Sequence, residues 1–550
     1  MSSTRFRRRS VVVGLDGATW HWLDRLIARG VMPTLGRLRD EGAHGPLRSA
    51  VPPMTATAWT SFQTGKGPGR HGIFDWTEPV PGTYLYRPID STRIQSRTIF
   101  EVLSARGGRV ASVNLPLTWP ARPIDGIAVG DMLTPDKDQP GFVHPPSFRA
   151  TLDAVAPDYR IDTHLSDREE DIAPFLGRLR AMLDGRRAVL RHLAASEPWD
   201  LLCTVHVEMD RMQHCLWHIF DPEHPHHDAR LAAQHEAAIL EVYRALDDAI
   251  AEAVAMRPGD ANVIFVSDHG FGPCRTKVFL NTWLAQEGFL TFRPGGHGNR
   301  ARLNRVRGAL ERVGLDTRRA ADLARRVGGD ALLRAGGTSV SRFAADIDWS
   351  RTQAYCHGTN AIRLNLRGRE PGGAVDPGDA DAVLSRLEAR LLEMRDPAGA
   401  RVIHRVARRE ALYDGPCVNL AADLLIAGHD DSVWFYYSEG EVPSEVFEPS
   451  GFASGNHEPD GIFLGWGPDF APGRRVEGAG ICDVFPTILA TMGVPIPDDI
   501  DGNVLHDALR GPAPVTWTEA QAWAGPGRSA RDAGVERAIE ARLRGLGYLQ

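Results

Sequence analysis

Short apolar runs alternate with longer amphipathic stretches along most of the chain. Residues 10–16 form a β-branched run of the kind found in a buried strand, and similar runs recur at 109–113, 201–207 and 263–266. Helical patterns separate these runs, as at 231–256. Strands that alternate with helices predict an α/β fold whose mainly parallel sheet is covered on both faces. Such a sheet gathers its ligands at the carboxyl ends of the strands.

Two stretches depart from this alternation. Residues 294–337 are rich in Arg, Gly and Ala and predict a partly helical insertion, either a cap over the site or a surface excursion without a role. Residues 529–550 predict a charged C-terminal helix. The predicted organisation is a first part of the core at 1–290, the insertion or cap at 291–348, a second part of the core at 349–510, and a C-terminal charged segment at 511–550.

Composition excludes several classes of function. A net charge of −7 over 550 residues argues against a nucleic-acid binder, which would carry a basic stripe. The chain has no run of about 18 apolar residues, so no membrane span is expected. The apolar stretch after the basic N-terminus covers only 11–15, too short for a secretory signal, so we expect a cytoplasmic protein. Its six scattered cysteines predict neither a disulfide framework nor a thiolate zinc site.

Polar side chains stand where two of the predicted strands end. Asp16 ends the first strand, and Gly17 allows a sharp turn there. Asp268 and His269 come directly after the strand at 263–266. An Asp in such a position is more often a helix cap or turn residue, so each segment alone is weak evidence of a site.

Two further segments carry similar side chains. Asp210 follows the strand at 201–207, and His214 lies one helical turn later on the same face, so both could reach one metal ion. His457 is expected in a loop before an apolar strand at 461–465. Together the four segments offer three Asp and three His without Cys, a set that suits Zn²⁺ or Mn²⁺.

A candidate nucleophile lies in the segment 52–65. Two prolines end an extended stretch, and helix-compatible residues follow from Thr55. A hydroxyl at the start of a helix faces unpaired N–H groups and the positive end of the dipole, which suit a phosphate oxygen. The simpler interpretation is that Thr55 caps the helix, and Thr57 is a rival hydroxyl.

Taken in order, these segments resemble the alkaline-phosphatase superfamily. Within it, the chain is similar to the type I phosphodiesterase/nucleotide pyrophosphatase branch, which includes predicted phosphohydrolases and phosphomutases. The matching motifs run through most of the chain, and they are GLDGA from Gly14, PPMTATAWTSFQTG from Pro52, RHGIFDW from Arg70, MDRMQH from Met209, VSDHGFG from Val266, NLRGREPGG from Asn365, SGNHEPDGIFLGWGP from Ser454 and DVFPTILATMGVPIPDDIDG from Asp483.

The resemblance implies a fold, a cofactor and a division of the ligands. The fold is an alkaline-phosphatase-like three-layer α/β/α sandwich with an inserted, partly helical cap. The cofactor is two divalent metal ions, usually Zn²⁺, although the ligand types leave Mn²⁺ open. The resemblance makes Thr55 the nucleophile in preference to Thr57. It places Asp16, Thr55, Asp268 and His269 around one metal, and Asp210, His214 and His457 around the other.

The implied function is a phosphohydrolase that cleaves a small-molecule phosphate ester through a phosphothreonine intermediate. A phosphodiester or nucleotide-type pyrophosphate is favoured over a monoester. Two alternatives stay open: a cofactor-independent phosphomutase, and a non-catalytic, metal-stabilised binding protein. The substrate contacts are unassigned, because the Asn that nucleotide pyrophosphatases carry shortly after the nucleophile has no counterpart near Ala58. Lys66, Arg70 and His71 could supply them or could be structural.

Overall fold

A computed structural model gives the architecture of the chain. It describes residues 6–165, 171–293, 344–436, 443–451, 453–511, 515–521, 523, 525 and 533–546. The predicted insertion or cap at 291–348 therefore lies largely outside the described residues, and its boundaries stay a prediction. No helix among the described residues is long and apolar enough to cross a membrane.

A central sheet organises the molecule, and ten of its strands lie within the described residues. In chain order these strands are β1 (Ser10–Leu15), β2 (Ala43–Arg48), β5 (Val110–Val113), β6 (Gly126–Val129), β7 (Val143–His144), β8 (Leu201–His206), β9 (Asn262–Val266), β19 (Asp460–Trp466), β20 (Arg474–Arg475) and β21 (Ala479–Gly480). Their spatial order is β20-β2-β19-β9-β1-β8-β5-β6-β7, with β21 beside β2. The pairs are parallel except for β19 with both of its neighbours and β7 with β6.

Smaller sheets flank this one. Their strands are β3 (Thr77–Pro79), β4 (Tyr86–Pro88), β10 (Gly270–Pro273), β11 (Thr276–Phe279), β12 (Ala354–Cys356), β13 (Ala361–Leu364), β14 (Ile403–Arg408), β15 (Leu424–His429), β16 (Val433–Tyr436), β17 (Phe447–Pro449), β18 (Gly455–Glu458), β22 (Ile496–Pro497) and β23 (Trp517–Thr518). The largest is the four-stranded sheet β12-β13-β15-β14.

Helices cover the sheets and connect their strands. They are α1 (Trp20–Ala28), α2 (Pro33–Glu41), α3 (Thr55–Thr64), α4 (Pro68–His71), α5 (Ile99–Ser104), α6 (Phe148–Val155), α7 (Ile172–Ser196), α8 (Glu208–Phe220), α9 (Ala229–Met256), α10 (Leu280–Gln286), α11 (Ala380–Leu392), α12 (Arg409–Leu412), α13 (Val484–Met492) and α14 (Ala533–Gly545). Short 3₁₀ helices lie at Ser91–Arg93, Pro377–Asp379, Val418–Leu420, Ile481–Asp483 and His506–Ala508.

The apolar periodicity accounts for the central strands. Every residue of β1, β8 and β9 is buried, because helices cover a parallel sheet on both sides. The predicted mainly parallel α/β architecture is confirmed. The strand predicted at 461–465 is β19, which enters the sheet antiparallel between β2 and β9.

The apolar side chains fall into separate clusters. The largest surrounds the central sheet, and a second fills the space between the four-stranded sheet and helices α10 and α11. A third cluster joins Met54 and Ala56, on either side of Thr55, to Ile539 and Leu543 of α14. Within this cluster the C-terminal helix packs against β4.

Candidate active site

Asp16 lies at the carboxyl end of β1, where the chain turns sharply. Gly17 takes the left-handed conformation, with φ of 70°. The Trp59 indole Nε1 on α3 donates a hydrogen bond of 2.9 Å to Asp16 Oδ2. Gly14 makes room for this indole, because a Cβ there would lie 2.5 Å from the ring. A buried tryptophan thus fixes one oxygen of Asp16 and turns the other towards the site.

Thr55 is the first residue of α3 and meets the side chains that end β9. The cap position is Met54, which makes no side-chain cap bond, so Thr55 does not cap the helix. Thr55 Oγ1 lies 3.3 Å from His269 Nε2. The same nitrogen lies 3.2 Å from Asp268 Oδ2 and 3.7 Å from Asp16 Oδ1. Four polar side chains from three segments therefore converge in one buried place.

A second group forms beside the first. Asp210 Oδ1 lies 3.3 Å from His214 Nε2, one turn later on α8, and 3.4 Å from His457 Nε2. The two imidazole nitrogens are 3.0 Å apart. The expectation that His457 lies in a loop is wrong. It lies on β18, opposite Phe271 of β10, and this antiparallel pairing brings His457 next to the end of β9.

The three imidazoles share one kind of backbone contact. The rings of His269 and His457 stack with centroids 3.5 Å apart, which joins the two groups. Each Nδ1 lies 3.0–3.3 Å from a backbone carbonyl oxygen, and the pairs are His214 with Gly455, His269 with Gly270, and His457 with Pro53. A carbonyl oxygen accepts a hydrogen bond from a protonated Nδ1, so Nε2 presents its lone pair to the site.

These donor sets fit divalent metal ions. The two groups are Asp16, Asp268 and His269, and Asp210, His214 and His457. Ligand atoms about 2.0–2.1 Å from a tetrahedral ion lie about 3.3 Å from one another, close to the distances of 3.0–3.7 Å found here. Asp16 Oδ1 and Asp268 Oδ2 are buried, and neither accepts a hydrogen bond from a described residue. A buried carboxylate oxygen in that state is suited to a cation.

The pKa shifts within the protein also favour a bound cation at this site. Burial, and then the neighbouring carboxylates, raise the pKa of Asp16 and Asp268 well above the usual value. Burial and the adjacent His457 ring lower the pKa of His269. Burial opposes the charge of Asp210, but His214, His457 and Arg211 outweigh it and lower its pKa. Crowded acids and neutral imidazoles are what a bound cation compensates.

Arg211 contacts Asp210 of the second ligand group on the side away from the two imidazoles. Its Nη1 donates to Asp210 Oδ2 at 2.5 Å, and its Nη2 donates to Asp162 Oδ2 at 2.8 Å. All three side chains are buried. Arg211 therefore holds the Asp210 oxygen that faces away from the two imidazoles.

The basic residues near Thr55 in sequence are engaged elsewhere. Lys66 forms an ion pair with Asp499. Arg70 pairs with Asp501 at 2.8 Å, and His71 Nε2 lies 3.0 Å from Ser61 Oγ. These contacts anchor the far end of α3 and α4.

Comparison with known proteins places this chain in a family. The family model for type I phosphodiesterase/nucleotide pyrophosphatase matches residues 10–460, which include every candidate ligand. The chain belongs to the type I phosphodiesterase/nucleotide pyrophosphatase family. Members of this family hydrolyse phosphoric ester bonds, and this chain is such a hydrolase. No curated protein matches the chain significantly.

Two solved structures are similar to this chain over most of its length. Phosphonoacetate hydrolase from Sinorhizobium meliloti 1021, in complex with phosphonoformate, is 16% identical with a TM-score of 0.51, and the match covers 87% of this chain and 94% of that one. Human ectonucleotide pyrophosphatase/phosphodiesterase 5 is 13% identical with a TM-score of 0.48, over 92% and 100% of the two chains. The first likeness confirms the alkaline-phosphatase-like fold.

Two residues of the site could not be identified from the sequence. Trp59 lies in the nucleophile segment, and Arg211 lies in the MDRMQH motif. Their partners Asp16 and Asp162 are 43 and 49 residues away, so neither contact leaves a local pattern. A buried tryptophan is also more often a core residue than a partner of a ligand.

Proposed function

We propose that this protein cleaves a small-molecule phosphodiester or nucleotide-type pyrophosphate through a phosphothreonine formed on Thr55. Two divalent ions, Zn²⁺ in this proposal and Mn²⁺ as the alternative, would be held by Asp16, Thr55, Asp268 and His269, and by Asp210, His214 and His457. The observation that carries the proposal is the convergence of both ligand groups on the start of α3, with Thr55 Oγ1 3.3 Å from His269.

Bound divalent ions supply Lewis-acid stabilisation of phosphoryl oxygens and lower the pKa of a nearby hydroxyl. The chain itself positions the nucleophile. Thr55 Oγ1 would attack phosphorus as the ester oxygen leaves, and water would then release the phosphoryl group and restore the hydroxyl. The first N–H groups of α3 have no acceptor within the helix, and its dipole favours the anionic phosphoryl group.

Thr57 is the less suitable hydroxyl. It lies one residue beyond Ala56 on α3, and its buried Oγ1 makes no hydrogen bond to any residue that the structure describes. The contact of Thr55 with His269 supports Thr55 instead.

The charge around the site supports a diester over a monoester. A monoester dianion carries one more negative charge than a diester, and phosphatases commonly meet it with a cationic side chain. Lys66 and Arg70 are ion-paired with Asp499 and Asp501, and Arg211 holds Asp210 and Asp162. These three cations are therefore committed to carboxylates of the protein.

The test compares bis-4-nitrophenyl phosphate with 4-nitrophenyl phosphate, with and without added Zn²⁺ or Mn²⁺. We expect metal-dependent turnover with a preference for the diester. Thr55→Ala should lower kcat by about a thousandfold or more while two equivalents of metal stay bound. Thr57→Ala is the matched control and should keep turnover within about threefold. Full turnover by Thr55→Ala with metal bound would contradict the mechanism, and a preference for the monoester would contradict the substrate class.

A further inference from the structure

A cavity of about 110 Å³ lies between the main body and the four-stranded sheet. One side is formed by Pro52, the loop after α4 and the β3–β4 hairpin. The other side is formed by β13 and by residues near the start of β15. Neither ligand group of the site reaches into this cavity, because none of those side chains lines it.

The side chain of Arg363 on strand β13 lines the cavity. Ile362 and Leu364 face the second apolar cluster, so the alternate residues Ala361 and Arg363 face the cavity. Arg363 is only 7% exposed. Its Nη2 donates to the Leu420 carbonyl, and no carboxylate of a described residue lies within 4.0 Å of its guanidinium nitrogens. A buried guanidinium without a carboxylate partner favours an anion.

The acidic residues of the cavity are already satisfied. Glu78 forms an ion pair with Arg87 at 2.7 Å. Asp75 accepts backbone N–H groups on both oxygens, from Trp76 at 2.6 Å and from Thr359 at 2.8 Å. Arg363 is therefore the cation of this cavity that has no acidic partner among the described residues.

The walls suit an organic group that carries the anion. The rings of Tyr86 and His357 stack with centroids 3.2 Å apart and form a flat face, while Ala421 and Leu425 form an apolar one. Burial and the charge of Arg363 hold the pKa of His357 well below its usual value, which agrees with a guanidinium close to that ring.

The cavity lies close to the nucleophile. Pro52 lines it, and three residues of chain from Pro52 to Thr55 span at most about 11 Å. The carbonyl of Pro53, between them, accepts from His457 Nδ1 at 3.0 Å. One wall of the cavity is therefore continuous with the segment that carries Thr55.

We propose that this cavity binds an anionic substituent of the substrate, in its simplest form a single carboxylate, and that Arg363 is the cation that determines this specificity. The substituent is carried by the alcohol that stays attached to phosphorus when the other ester bond is cleaved. The inference rests on the proposed phosphodiesterase function. One guanidinium pairs with one carboxylate in a bidentate arrangement.

The test uses two diesters of equal length, 4-nitrophenyl 3-carboxypropyl phosphate and 4-nitrophenyl butyl phosphate. The metal-loaded full chain should prefer the carboxylate by about tenfold to a hundredfold in kcat/KM, chiefly through KM. Arg363→Gln should reduce this preference to about one, and Arg363→Lys should restore part of it. Arg87→Gln is the matched control, since Arg87 lines the same cavity but is paired with Glu78, and it should keep the preference.

A second pair of variants avoids the risk of misfolding. Leu420 lines the cavity and is 44% exposed, so we expect polar substitutions there to leave the fold intact. Leu420→Glu should lower the preference for the carboxylate by charge repulsion, whereas the isosteric Leu420→Gln should not.

The outcomes separate this inference from the proposed function. Equal kcat/KM values for the two diesters in the wild type, or a preference that Arg363→Gln leaves unchanged, would overturn the inference. If neither diester is hydrolysed, the proposed function fails. Calorimetric titration with the carboxypropyl diester then tests, independently of turnover, whether the cavity binds the carboxylate through Arg363. Binding that Arg363→Gln weakens at least tenfold would support the cavity, and binding independent of Arg363 would overturn it.

Discussion

Replacing Trp59 by Phe removes the hydrogen bond that fixes Asp16 without changing any candidate metal ligand. Trp59 Nε1 and Asp16 Oδ2 are 2.9 Å apart, and both side chains are fully buried. Leaving a buried acceptor without its donor costs about 1–3 kcal/mol. The smaller ring leaves a void of about 40 Å³, which costs about 1 kcal/mol. We therefore expect the free energy of unfolding to fall by about 2–4 kcal/mol.

The same change should weaken one of the two bound metals. Partners that orient metal ligands typically contribute about 10- to 100-fold to affinity. Competition with a chromophoric chelator measures Zn²⁺ affinity, and urea unfolding in EDTA measures stability without metal. Trp22→Phe is the matched control, because Trp22 Nε1 donates to the neutral Tyr243 hydroxyl at the same 2.9 Å. If Trp59→Phe binds both metals as tightly as Trp22→Phe does, Trp59 does not position a ligand.

Three further predictions concern stability. Arg186 and Glu208 form a fully buried ion pair of 2.5 Å, and Arg186→Met leaves the Glu208 carboxylate without this partner. Urea unfolding should show a loss of about 3–5 kcal/mol, and adding Glu208→Gln should recover most of it. Equal losses in the single and the double variant would contradict this reasoning. Burial raises the pKa of Asp131 to about 7, so the protonated side chain stabilises the fold at low pH and this stability disappears as pH rises through 7. Between pH 5 and pH 8.5 the wild type should lose about 2–3 kcal/mol that Asp131→Asn does not lose, measured in EDTA, and parallel pH profiles would refute the assignment. Gly45→Ala places a Cβ 1.8 Å from a backbone carbonyl oxygen and should destabilise by about 1–3 kcal/mol or more, whereas Gly177→Ala on α7, with open space around it, should raise Tm.

The sequence was sufficient for the features that depend on local periodicity. The β-branched runs that became β1, β8 and β9 are continuous because the strands are buried on both faces, and parallel strands bring their carboxyl ends together. Asp16 and Asp268 could therefore be expected at one edge of the sheet from the order of residues alone. Their roles as ligands stay proposals, as does the nucleophilic role of Thr55.

Features that depend on distant contacts could not be predicted in this way. The segment 455–458 has no apolar alternation, so only its pairing with β10 makes it a strand. Whether Arg363 has a carboxylate partner depends on which side chains the four-stranded sheet places nearby. The roles of Lys66 and Arg70 were equally open, because their partners Asp499 and Asp501, which hold them away from the site, lie more than 400 residues along the chain.

The position of β19 has a consequence for synthesis on the ribosome. This strand lies between β2 and β9, although both are made much earlier, and His457 precedes it by only a few residues. At about 5–20 residues per second, translation from the end of β9 at residue 266 to the start of β19 at residue 460 takes about 10–40 s. During that time the edge of β9 has no neighbour on one side, and an unpaired edge is a template for association with other chains. Synthesis of β19 closes this edge by joining β9 to β2, and it follows within a few residues of His457, the last member of the second ligand group.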